Sequence, residues 1–142
     1  MNVCIDSSLL VSLYIPDSHS PEAIGRMASR PTNWISPLNR SELAHAIHQH
    51  VFRGAIGPLD AQRAWSAFEN DCASGIWNEA KWSDAVLHGS IELARNFGPT
   101  LGMRTLDSLH VACALELRAE RFWTFDERQV RLAEAAGLNT KP

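Results

Sequence analysis

The chain has 142 residues, 45% hydrophobic and 20% charged, a composition that suits a single domain over 1–142 able to bury its own core without staples. No run approaches the roughly 18 apolar residues of a membrane span. No basic segment precedes an apolar one at the N-terminus, so a cytoplasmic protein without a secretory signal is expected. A formal net charge of −3 excludes nucleic-acid binding by overall basicity, so any such contact must use a local basic patch, a metal or a partner chain.

Residues 2–5 are a short apolar run that ends on Asp6, the pattern of a buried strand. Residues 8–15 read as a short helix stopped by Pro16, and a loop over 17–21 leads into a helix that Pro21 opens and that runs to about Arg30. Asn33-Trp34-Ile35-Ser36 is a second short strand, closed by Pro37. Ser41 is placed to cap a helix over 42–53, where Leu43, Ala44, Ile47 and Val51 recur at helical spacing and Gly54 ends the run. A helix follows over about 60–74, and 75–82 is expected to be a loop or irregular edge. Ser83 caps a helix to about Asn96, and Gly98-Pro99 with Gly102 marks the next loop. Thr105 caps a helix from Leu106 to about Ala119 that is apolar nearly all round, and hence buried. Residues 121–126 form another strand that ends on an acid, a helix follows over 127–136, and Leu138-Asn139 is a last edge strand. Strands separated by helices, with no hairpin signal, predict an α/β fold with a parallel sheet covered on both faces. Cys4, Cys72 and Cys113 form no CxxC pair and sit in apolar segments, as buried free thiols do.

Asp6 and Asp126 end strands, and in a parallel sheet both would lie on the edge where ligands bind. Glu42 and Asp107 follow the expected caps Ser41 and Thr105, and helix N-termini point to that same edge. Taken singly, each acid has an ordinary explanation in helix dipoles and turns. Taken together, four carboxylates in one cleft need a counter-charge. Oxygen-only ligands select Mg²⁺, or Mn²⁺, over zinc. Mg²⁺ keeps several waters and suits the activation of one of them against a phosphodiester.

Glu42-Leu-Ala-His45 and Asp107-Ser-Leu-His110 raise a di-iron alternative, but strands ending on acids argue against the four-helix bundle such sites need. His45, His48 and His50 spread over different faces of one helix and read as surface groups, whereas His110 stands one turn after Asp107 as a candidate support. Of the basic residues, eleven are arginine and two lysine. Arg40, Arg104 and Arg128 lie next to the acids in sequence and are suited to bidentate phosphate contacts.

Four ordered pieces carry a family resemblance: Val3-Cys4-Ile5-Asp6-Ser7-Ser8, Ser41-Glu42-Leu43, Thr105-Leu106-Asp107-Ser108-Leu109-His110-Val111-Ala112, and Trp123-Thr124-Phe125-Asp126 followed by Ala133-x-x-x-Gly137-Leu138. In their order and spacing, over nearly the whole chain, they resemble the PIN-domain ribonucleases, and within them the VapC-type toxins of toxin–antitoxin pairs. The resemblance implies a PIN-like three-layer sandwich around a central parallel sheet. It also implies an acidic quartet of Asp6, Glu42, Asp107 and Asp126 that holds Mg²⁺ or Mn²⁺ and hydrolyses single-stranded RNA. Asp6 and Asp107 would be the most direct metal ligands. Glu42 would hold the metal or orient the attacking water, Asp126 would complete the site, and Thr105 and Thr124 would support the quartet by hydrogen bonds. It further implies a homodimer, a cognate antitoxin protein as partner, and RNA as the source of the phosphates that Arg40, Arg104 and Arg128 would meet, while the lack of a long apolar run leaves no membrane partner expected. The alternative is a catalytically silent PIN-fold module that binds RNA or protein.

Overall fold

A computed structural model describes all 142 residues. Its centre is a four-stranded sheet of β1 (Asn2–Ile5), β2 (Thr32–Ile35), β3 (Trp77–Glu79) and β4 (Arg121–Trp123), in the order β3-β2-β1-β4 and parallel throughout. Seven helices complete the chain: α1 (Ser7–Tyr14), α2 (Ser20–Met27), α3 (Pro37–Phe52), α4 (Pro58–Ala73), α5 (Asp84–Leu101), α6 (Thr105–Glu116) and α7 (Glu127–Ala135).

Alternation along the strands divides the core into two layers. Val3 and Ile5 of β1, Ile35 of β2 and Trp123 of β4 join Leu9, Leu43, Ile47 and Phe68 from α1, α3 and α4 on one face. Cys4 and Phe122 point the other way, into Val86, Leu93, Val111, Ala114 and Leu132 from α5, α6 and α7. The result is the expected three-layer α/β sandwich. Cys4 and Cys113 are buried free thiols, and burial pushes them up to about 12 and about 11. Cys72 is free and half-buried.

Two boundaries shift slightly, with Arg104 rather than Thr105 at the cap position of α6 and β4 ending at Trp123 as the chain turns to let Asp126 cap α7, and four others differ more from the sequence reading. α3 starts a turn early: Pro37 suits the first helical position, and Asn39 Oδ1 accepts from the Ser36 N–H at 2.8 Å, so Ser36 rather than Ser41 is the cap and Glu42 falls in the second turn. The 75–82 stretch contains a true edge strand, β3, registered on Asn33, Trp34 and Ile35 and anchored by the buried Trp77. α5 runs through Gly98-Pro99 to Leu101 before Gly102 ends it at φ 62. It packs along α6, where a Cβ on Gly89 would stand only 3.4 Å from the Ala112 Cβ. Finally, Leu138-Asn139 forms no strand, and Asn139 supplies a single carbonyl to the Phe122 N–H at 2.9 Å.

Candidate metal and catalytic site

At the carboxyl edge of β1 and β4 the sheet opens into a pocket of about 510 Å³, walled by the starts of α1, α6 and α7 and by α3. Asp6, Glu42, Asp107 and Asp126, from four distant segments, all line it.

Local structure explains each placement. Asp6 leaves β1 and caps α1, its Oδ1 accepting from the Leu9 N–H at 3.2 Å and the Ser8 hydroxyl at 2.6 Å. Asp126 caps α7 by accepting from the Arg128 N–H at 2.8 Å. Asp107, in the first turn of α6, accepts from the Arg104 N–H at 3.0 Å. Three helix N-termini therefore face the pocket, and their positive ends offset part of the repulsion among the acids.

Thr124 couples two of the acids. Its hydroxyl donates to Asp6 Oδ2 at 2.7 Å and accepts from the Asp126 N–H at 3.0 Å. Ser8 adds a second tie, accepting from the Phe125 N–H at 3.0 Å while donating to Asp6. Glu42 is held from both sides. Its Oε1 accepts from the Ser7 hydroxyl at 2.8 Å and from His110 Nε2, which must carry the proton because an ionised carboxylate only accepts. Asn39 extends this chain to the sheet, donating to the Ser7 hydroxyl at 3.3 Å and to the Ile5 carbonyl at 3.1 Å.

The electrostatics separate the acids. Burial pushes the Asp6 carboxyl above its ordinary value, and the hydrogen bonds from Ser8, Thr124 and Leu9 and the nearby His110 act the other way without cancelling it. Glu42 is also penalised by burial, but His110, Ser7 and Arg104 outweigh that and hold it below its ordinary value.

The donor set fits a hard divalent cation in its chemistry. It is all oxygen and anionic, and Glu42 Oε2, Asp107 Oδ1 and Asp126 Oδ2 take no hydrogen bond from the protein. A cation beside Asp6 would also favour the ionised form that burial disfavours. As the side chains stand, no three acidic, imidazole or thiol groups are gathered closely enough to hold one ion.

The other expected site residues divide. Arg104 lines the pocket, two-thirds exposed, with Nε 3.8 Å from Asp107 Oδ2. Arg128 lies outside the pocket wall, 4.0 Å from Asp126 Oδ1. Arg40 is not brought to the acids: it pairs with Glu79 across β3 and lies over the Phe68 ring in a separate hollow. Thr105 lines the pocket, but its hydroxyl bonds none of the four carboxylates. The helix histidines His45, His48 and His50 turn back to carbonyls one turn earlier on α3. Sequence reasoning missed Ser7, Ser8, Asn39 and Gln129 as parts of the site. Adjacency to Asp6 was the available signal for the serines, whereas nothing in the pattern marked Asn39 or Gln129.

A family model described as "PIN domain" matches residues 3–135. No curated protein matches the chain. Among solved structures, the VapC20 toxin of Mycobacterium tuberculosis, described as cleaving the sarcin-ricin loop, has TM-score 0.73 at 17% identity, with 99% of each chain covered. FitAcB of Neisseria gonorrhoeae has TM-score 0.75 at 12% identity, covering 99% of this chain and 96% of that one. VapBC2 of Rickettsia felis, solved on a DNA fragment from its promoter, has TM-score 0.70 at 16% identity, covering 99% and 98%. At such identities these likenesses show a shared fold.

Proposed function

This chain belongs to the PIN domain family, and on that premise we propose that it is a divalent-metal-dependent endoribonuclease, the toxin of a VapBC-like toxin–antitoxin pair. The observation that carries the reading is the delivery of four carboxylates by four separate segments to one pocket, with Asp6 kept there despite the cost of burying it.

Asp6 and Asp107 would be the most direct ligands of Mg²⁺ or Mn²⁺, with Glu42 and Asp126 completing the set. Such a cation, when bound, supplies positive charge against the phosphate and makes coordinated water more acidic. The protein's own groups do the positioning. Ser7 and His110 fix Glu42 Oε1, so that Oε2 is free to orient a water, and Thr124 keeps Asp6 and Asp126 in register. Arg104 at the rim is placed to meet a substrate phosphate. An antitoxin partner is supported by the fold shared with complexes such as VapBC2 and FitAcB; a homodimer rests on the family resemblance alone. No helix is long and apolar enough to cross a membrane.

The test is cleavage of a labelled single-stranded RNA in Mg²⁺ or Mn²⁺. Wild type should cut and chelator should stop it. Asp6→Asn and Asp107→Asn should each lose cleavage while unfolding cooperatively. Full activity in either variant would remove the quartet from the mechanism.

A further inference from the structure

The acidic pocket poses a problem for its own substrate. Four carboxylates repel the RNA backbone, the chain carries net charge −3, and of the three arginines near the acids Arg40 is committed to Glu79. Beyond Arg104 and the cation that the acids would hold, affinity for RNA therefore gains from contributions that do not depend on charge. Base stacking on aromatic faces is the general one.

Such a face is built on Phe125, whose chain neighbour Asp126 lines the pocket although Phe125 itself does not. His19 is exposed, and its ring lies flat on Phe125, with centroids 4.4 Å apart and planes at 11°. The Arg26 guanidinium stands 5.4 Å from the Phe125 ring and 5.6 Å from the Trp123 ring. It is fixed in turn by Glu22, with its side chain 10% exposed. The loop before α2 is also tied, because Asp17 Oδ1 accepts from the His19 N–H at 2.8 Å and Asp17 Oδ2 from the Ser12 hydroxyl at 2.8 Å. No side-chain hydrogen bond occupies the His19 imidazole, so its position is set by the stack and the loop.

The stack is bolted to the acids. Phe125 lies between Thr124 and Asp126, and its N–H donates to the Ser8 hydroxyl that bonds Asp6. The tie runs through the Phe125 backbone, so a change of the ring that covers its face leaves the groups holding the two carboxylates in place.

We propose that the exposed face of His19, stacked on Phe125, is a platform for one unpaired base of the RNA flanking the scissile phosphate. This deepens the nuclease reading and rests on it for the identity of the ligand. The platform supplies affinity where charge repels, and it selects single strands, because a base inside a duplex has both faces covered by its stacked neighbours. His19 is thus a specificity-determining residue and takes no part in the chemistry.

The experiment compares wild type with His19→Leu, which still covers Phe125 but lacks a π-face, and with His19→Tyr, which restores one. Single-stranded RNA is the probe, read by cleavage kinetics and, separately, by binding to each protein in a chelator-treated buffer. His19→Leu should raise KM and weaken binding on the order of ten-fold. Its kcat and unfolding midpoint should stay close to wild type, and His19→Tyr should recover the affinity. An RNA abasic at a single flanking position should weaken wild type as much as His19→Leu does, and should weaken that variant no further. Unchanged KM and binding in His19→Leu, or failure of Tyr to restore them, would overturn the platform. If wild type binds RNA in this His19-dependent way without cutting it, the nuclease reading falls and the platform stands. If wild type shows no RNA binding, the platform falls.

Discussion

Thr124→Val isolates the bond that couples two of the acids. Valine keeps the shape of threonine, so no cavity forms and the change is confined to the hydroxyl. Two hydrogen bonds go: donation to Asp6 Oδ2 at 2.7 Å, where Asp6 is 4% exposed, and acceptance from the Asp126 N–H at 3.0 Å. A hydrogen bond to a charged group contributes about 1.5–3 kcal/mol and a neutral one about 0.5–1.5, so the variant should lose about 2–4.5 kcal/mol. That is a large share of the roughly 5–15 kcal/mol a domain possesses. Urea unfolding at pH 7 measures it, with an unchanged m-value showing that only stability moved. The pH dependence has a definite sign. Asp6 has a folded-state pKa raised above its ordinary 3.8, so it favours the native state at acid pH and costs stability as pH rises through the raised value. Losing a bond that favours the ionised form raises that pKa further, so the penalty should be greatest at neutral pH and shrink towards pH 4. Thr124→Ser, which keeps the hydroxyl, should lose only about 1 kcal/mol for its methyl group. A valine variant within 0.5 kcal/mol of wild type, or a serine variant as damaged as the valine one, would refute the coupling.

Three further outcomes follow from the same geometry. His110→Phe removes the partner that holds Glu42 low. Glu42 contributes stability above its ordinary pKa that is lost as pH falls through its lowered one, so the variant should acid-unfold at higher pH, and its RNA cleavage should fall about 10- to 100-fold. Gln129 is 2% exposed with Oε1 unpartnered, so Gln129→Met should raise stability by about 1 kcal/mol in thermal or urea unfolding; a loss of stability would show that the amide has a partner. Arg104→Ala should lower kcat/KM about ten-fold, whereas Arg40→Ala should leave it within about two-fold, since Arg40 is paired with Glu79 outside the pocket; equal effects would undo the distinction.

The fold was readable because its signals are local. Val3-Cys4-Ile5 and Phe122-Trp123 are apolar runs bounded by polar residues, and their alternation sends Cys4 and Phe122 to one layer and Ile5 and Trp123 to the other. What was misread depended on tertiary partners. β3 has three residues and no period of its own, and it exists because β2 offers it a register. α5 passes through Gly98-Pro99 because α6 lies along it, against the local breaker signal. Asp6, Asp126 and Asp107 could be named from strand ends and a helix start, whereas Glu42 was named from a cap at Ser41 that the structure moves to Ser36, and the pocket gathers all four. Their supports were less visible. Asn39 reaches Ser7 over 32 positions, and His110 reaches Glu42 over 68, distances at which a sequence carries no spacing rule. Arg40 shows the converse: closeness to Glu42 in sequence sends it to Glu79 in space.

The central claim is that Asp6, Glu42, Asp107 and Asp126 together make one divalent-cation site. Calorimetric titration of Mn²⁺ into the wild-type protein and into Asp6→Asn, at neutral pH, tests it most directly. Saturable binding to wild type that is lost in Asp6→Asn, with the variant still folded, is the predicted result. No binding to wild type at millimolar Mn²⁺, or equal binding to both, would contradict it.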